Sequence, residues 1–146
     1  MLRTLRMSAL AILAALTLGV VAQGATPAVI KGTAQGDDIQ GTLGGDRIYG
    51  FAGNDEIDGR GGSDVIYGGL GNDTLSGGGA KDYLSGGEGD DTLTAAYGER
   101  RPVDFLSCGA GDDLVILVDV PDVDRGVVRR LLDGAPSYCE SVQFKG

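Results

Sequence analysis

The residues with the plainest chemistry are aspartates on a fixed spacing. Asp37, Asp46, Asp55, Asp64, Asp73, Asp82 and Asp91 recur every nine residues, and Asp104 and Asp113 resume the series after four extra residues within Glu99 to Val103. Carboxylates repeated in this way are hard oxygen donors, suited to a divalent cation. Other chemistries are excluded. The chain has 146 residues and no His, so Ser-His-Asp, Cys-His and HExxH zinc sites are absent. A net charge of −9 argues against a nucleic-acid partner. No G-x-S-x-G elbow occurs, and Gly62-Ser63-Asp64 is one of the repeated loops. Asp112-Asp113 resembles glycosidase carboxylates in type only, and the period already explains Asp113.

The elements that position these aspartates are nine-residue units starting at Gly32, Gly41, Gly50, Gly59, Gly68, Gly77, Gly86, Ala95 and Cys108. The sixth place is Asp throughout. The eighth is aliphatic throughout: Ile39, Ile48, Ile57, Ile66, Leu75, Leu84, Leu93, Leu106 and Val115. Glycines at the first, second and fourth places permit positive φ, so six residues make a tight turn. The stretch after the Asp reads as a short strand, its eighth residue inward and its neighbours outward. Of the 27 Gly, 22 lie between Gly32 and Ile116, with 16 of the 21 acids. The fixed period excludes a flexible linker, and the lack of a G-X-Y triplet excludes collagen.

One aliphatic side chain per unit is a thin core, contributing roughly 1.5–3 kcal/mol. Fixing nine backbones costs on the order of 9–18 kcal/mol. Stacked strands lie about 4.8 Å apart, where two carboxylate charges repel by roughly 3–4 kcal/mol at an effective dielectric of about 20. A cation between them turns repulsion into attraction. A flexible all-oxygen loop suits Ca²⁺ better than Mg²⁺, which demands a stricter octahedron. Folding and ion binding are therefore expected to be one event.

With the consensus G-G-x-G-x-D-x-U-x, residues Gly32 to Ile116 resemble the RTX, or haemolysin-type, calcium-binding repeat family; Gly68-Gly69-Leu70-Gly71-Asn72-Asp73-Thr74-Leu75-Ser76 is among the best copies. The resemblance implies an all-β fold, a right-handed parallel β-roll (a β-solenoid) with two nonapeptide units per turn. It also implies several Ca²⁺ ions between successive turns. Units two apart then share an ion: Asp37 with Asp55, Asp46 with Asp64, Asp55 with Asp73, Asp64 with Asp82, Asp73 with Asp91, and Asp91 with Asp113. Asp104 is set apart from these metal residues by its lengthened loop, which begins Ala95-Ala96. Ala80-Lys81 before Asp82 and Gln35 at a fourth place weaken their loops.

The chain ends differ from the repeats. Arg3 and Arg6, then an apolar run from Ala9 to Ala22, read as a signal peptide (residues 1–22) that directs export, with a cut after Ala22; a cut after Ala25 and an uncleaved anchor are alternatives. The apolar run is short for a membrane span, so none is expected in the mature chain. Residues 23–31 read as a linker, 32–116 as the calcium-binding roll and 117–146 as a C-terminal cap. Asp122 to Leu132 reads as a short helix with Arg129 and Arg130 near its end, and Tyr138 to Phe144 as a final strand. In an exported chain Cys108 and Cys139 form a disulfide, the alternative being two buried or reactive thiols. The ending, with Cys108-Gly109 and Cys139-Glu140, is similar to small secreted bacterial proteins described only as calcium-binding.

Alternate units separate the outward residues by parity. One face collects Tyr49, Tyr67, Tyr83 and Phe105, and the other is mainly polar. The aromatic stripe is either ordinary cross-strand packing or a surface for a cell-surface glycan or protein. The expected function is a secreted, non-catalytic calcium-binding β-roll; an adhesion module is the alternative, an extracellular hydrolase a third.

Overall fold

The computed structural model describes residues 20–21, 26–96, 104–118, 139 and 141–145. Its strands are β1 (Val20–Val21), β2 (Val29–Lys31), β3 (Asp38–Gln40), β4 (Arg47–Ala52), β5 (Glu56–Asp58), β6 (Val65–Leu70), β7 (Thr74–Ser76), β8 (Tyr83–Glu88), β9 (Thr92–Ala96), β10 (Phe105–Ala110), β11 (Leu114–Val118) and β12 (Ser141–Lys145). There is no helix among the described residues. The helix expected over 122–132 lies outside them, as does the expected signal segment apart from Val20 and Val21.

From β1 to β11 consecutive strands alternate between two parallel sheets, and β12 joins the sheet of β11. One has the order β1-β3-β5-β7-β9-β11-β12, the other β10-β8-β6-β4-β2. Two units therefore complete one turn of an all-β parallel solenoid of about five turns. The register follows the repeat: Ile39 pairs with Ile57, and Ile48 with Ile66. Beyond the four extra residues the step widens, pairing Leu84 with Leu106 and Leu93 with Val115. The ladders thus continue in phase on both sides of the insertion.

This register stacks the eighth-place residues into one interior column. Ile39, Ile48, Ile57, Ile66, Leu75, Leu84, Leu93 and Val115 are buried, while Leu106 is half-buried. The column starts before Gly32. Within residues 23–31, β2 pairs with β4, Ile30 is buried in the core, and Ala28 occupies the place of an Asp. This stretch is therefore a repeat unit in the described part, not a linker. It keeps the inward aliphatic that packing needs and one glycine, Gly24, and has lost the acid and the other glycines that made the later units visible.

At the far end β12 extends the seven-stranded sheet by pairing in parallel with β11. Cys108 and Cys139 form a disulfide, with Cα atoms 5.4 Å apart. It ties the chain entering β12 to the last repeat loop, where the solenoid would otherwise offer an open edge.

Candidate metal site

Each repeated Asp sits at the end of a loop, one residue before a strand, so the sheet register stacks the aspartates as strictly as it stacks the core. Asp46, Asp55, Asp64, Asp73, Asp82, Asp91 and Asp113 are at most 2% exposed and Asp104 8%. The first-place glycine makes room for the carboxylate. A Cβ on Gly59 would lie 2.5 Å from Asp64 Oδ2, and one on Gly77 2.5 Å from Asp82 Oδ2.

One oxygen of each carboxylate ties the turns together. The backbone N–H of Asp37 donates to Asp55 Oδ1 at 2.8 Å, Asp46 to Asp64 at 2.7 Å, Asp55 to Asp73 at 2.9 Å, Asp64 to Asp82 at 2.8 Å and Asp73 to Asp91 at 2.8 Å. Asp91 donates to Asp113 Oδ1 at 2.9 Å. All six pairs expected from the spacing are juxtaposed. On one row of loops the fifth-place residues add a reverse link: Asn54 Oδ1 accepts from Asn72 N–H, Asn72 Oδ1 from Asp90 N–H, and Asp90 Oδ1 from Asp112 N–H.

The other oxygen distinguishes the loops. Oδ2 of Asp55, Asp64, Asp73, Asp82, Asp91 and Asp113 is buried and no hydrogen-bond donor reaches it. An unsatisfied buried acceptor costs about 1–3 kcal/mol, so six amount to roughly 6–18 kcal/mol. That is as large as the whole stability of a typical domain, about 5–15 kcal/mol. Asp37 and Asp46 escape this cost. Asp37 Oδ2 accepts from Thr33 N–H at 2.6 Å and Thr33 Oγ1 at 2.9 Å. Asp46 Oδ2 accepts from Thr42 N–H at 2.6 Å, and its Oδ1 from Thr42 Oγ1 at 2.9 Å.

Burial also shifts the acidity of several of these carboxylates. Burial, reinforced by the neighbouring aspartates, pushes Asp82 up to about 7 and Asp64, Asp73 and Asp91 up to about 6. Burial likewise raises Asp55 and Asp104. Among the described residues no Lys or Arg is buried beside these carboxylates. Among the described residues no three acidic, imidazole or thiol groups converge on one point. An ion here would complete its shell from main-chain carbonyls, the donor set that Ca²⁺ accepts readily. The residues fit calcium: buried carboxylate oxygens without donors, glycine-rich loops and no nitrogen or sulfur ligand.

Two loops differ from expectation. Asp104 joins the stack despite its lengthened loop, because Asp82 N–H donates to its Oδ1 at 2.9 Å; its Oδ2 accepts from Ala96 N–H at 2.9 Å. The loop before Asp82 keeps the shape of its neighbours although Ala80 replaces glycine, with φ of 82°. Thr33 and Thr42 escaped the sequence reading. Their signal was available, since both stand at the second place where the consensus has Gly. Tyr49, Tyr67 and Tyr83 line the outer face of the five-stranded sheet as expected. Tyr49 stacks on Tyr67 at 5.3 Å between ring centres, and Tyr67 meets Tyr83 at 5.9 Å.

The family model of the RTX calcium-binding nonapeptide repeat (4 copies) matches residues 31–66 and again 58–93. No curated protein and no solved structure matches the chain.

Proposed function

Residues 31–93 consist of RTX calcium-binding nonapeptide repeats, and from that premise we propose that the protein is a secreted calcium-binding β-roll that folds as it takes up the ion. The observation that carries this reading is the set of six buried Asp Oδ2 atoms without a donor. Ca²⁺ held by these carboxylates and by loop carbonyls supplies the missing positive charge, and removes both the unsatisfied acceptors and the repulsion between stacked aspartates. In the unfolded chain the same aspartates are hydrated and far apart, so the ion favours the folded state by mass action.

The disulfide supports an oxidising destination, and the basic and apolar start of the chain supports export. The reading is non-catalytic, because the aspartates are accounted for by the repeat and no nucleophile with a partnering base stands among the sequence motifs. Calorimetric titration with Ca²⁺, followed in parallel by circular dichroism, tests it. Binding accompanied by a gain of strand signal is expected. A strand signal of the same size in EDTA would remove the coupling of folding to the ion.

A second reading, docking to a glycan or protein on the cell surface, is favoured by the aromatic ladder. Tyr67 and Tyr83 remain 37% exposed and Phe51 49%, on one face of a regular sheet. Replacing Tyr49 and Tyr67 by Ser is expected to abolish calcium-dependent retention on cells while leaving calcium-dependent folding intact. Unchanged retention would dismiss the docking role.

A further inference from the structure

The loops fall into two conformations, and backbone dihedrals sort them without overlap. In the six loops whose Asp Oδ2 has no donor, both the second and the fourth place have positive φ. These residues are Phe51 and Gly53, Arg60 and Gly62, Gly69 and Gly71, Gly78 and Ala80, Gly87 and Gly89, and Gly109 and Gly111. They account for every positive φ among the described residues. In the first two loops Thr33, Gln35, Thr42 and Gly44 all have negative φ, and there the second-place N–H reaches the carboxylate. Residue type at the fourth place does not decide this, since Gly44 could take either sign and Ala80 takes the unfavourable one. What the first two loops share is a threonine at the second place.

That threonine closes its loop from both sides. Thr42 is buried, at 3% exposure. Its N–H and hydroxyl donate to the Asp46 carboxylate, and its Oγ1 accepts the fourth-place Gly44 N–H at 2.9 Å. Thr33 repeats the arrangement on Asp37, with Gln35 N–H at 3.2 Å. Hydrogen bonds to an ionised carboxylate are roughly twice as strong as neutral ones, and a hydroxyl bonding its own backbone two residues on favours this turn. These two loops belong to consecutive units and so make one complete turn of the solenoid.

We propose that Thr33 and Thr42 do for the first turn what calcium does for the later ones. That turn, stacked directly after β1 and β2, is then ion-free, and the ion-dependent section begins at Gly50. The inference rests on the calcium reading and adds to it which loops take the ion. Ala96 closes the Asp104 loop by its N–H alone, so the two rows of loops differ in capacity. One row has the open carboxylates Asp55, Asp73, Asp91 and Asp113, the other only Asp64 and Asp82.

The test moves the threonine. Phe51 already carries a side chain at positive φ and is half exposed, so Phe51→Thr installs the closing residue in an open loop, and Phe51→Ala is the control without a hydroxyl. Calorimetric stoichiometry is expected to drop by an ion in Phe51→Thr and to equal the wild type in Phe51→Ala. In the reverse direction, Thr42→Gly is expected to make the amides of residues 41–49 exchange in EDTA as fast as those of the open loops. A wild-type ion count in Phe51→Thr, or unchanged exchange in Thr42→Gly, overturns the assignment of the threonines. A wild-type protein that binds no calcium overturns the calcium reading itself, a result that neither variant alone produces.

Discussion

The turn from Gly32 to Tyr49 and the middle turns of this solenoid share a strand register, inward aliphatics and stacked aspartates, yet their loops solve one electrostatic problem differently. In the turn from Gly32 to Tyr49 the chain itself supplies donors to the carboxylate, through Thr33 and Thr42. From Gly50 to Leu93 glycines and glycine-like conformations leave one oxygen of each Asp without a donor. The strand period determines that the aspartates stack. The second-place residue determines whether the stack is complete without an ion. A protein that needs calcium along its middle turns thereby gains, directly after its edge strands β1 and β2, a turn that does not.

The sharpest way to break this comparison is to make one substitution in both regions. Asp73→Asn removes a carboxylate from an open loop and is expected to raise the calcium midpoint of folding on the order of tenfold, equivalent to about 1.4 kcal/mol. Asp46→Asn in the closed turn should leave that midpoint nearly unmoved. It should instead weaken the first turn by about 1–3 kcal/mol, because an amide facing Thr42 N–H leaves a buried group unsatisfied. Equal calcium midpoints for the two variants would erase the distinction.

Acidity provides a second contrast. Asp64, Asp73 and Asp91 are raised to about 6 and Asp82 to about 7 from an ordinary 3.8. Between those values the calcium-free folded state holds protons that the unfolded state has released, so its stability falls as pH rises. In EDTA the residual strand signal is expected to be larger near about pH 5 than near about pH 7.5. With calcium present the order reverses, since protons compete with the ion for the same oxygens. A strand signal in EDTA that grows with pH would contradict the burial of unpaired carboxylates.

The smallest expected effect concerns backbone strain. Ala80 holds φ at 82°, a conformation that costs a residue with a Cβ about 1–2 kcal/mol. Ala80→Gly should lower the calcium midpoint modestly, while Gly44→Ala in the closed turn, at a negative φ, should not raise it. Calcium titrations followed by circular dichroism read both.

What the amino-acid sequence disclosed, and what it hid, follows from which features are periodic. The inward column and the aspartate stack were legible because Ile39 to Val115 and Asp37 to Asp113 recur on a strict spacing that the register reproduces. The unit containing Ile30 was not, since Ala28 stands where the Asp would be, Gly24 is its single glycine, and one aliphatic residue has no signature. Asp104 was hard to place because four inserted residues hide its phase, whereas the sheet registers recover it on both sides. The loop shapes were least legible. Phe51, Arg60 and Ala80 adopt positive φ despite their side chains; Phe51, for example, pairs in register with Gly69, which has the same sign of φ. A propensity scale sees residue type alone, and type does not reveal these three.

The most direct test is hydrogen exchange of the disulfide-bonded protein with and without calcium. With calcium, protection is expected throughout residues 29–96. In EDTA it should be lost from residues 50–96 and retained over the Thr33 and Thr42 loops and their strands. Protection of residues 50–96 that does not depend on calcium would contradict the account.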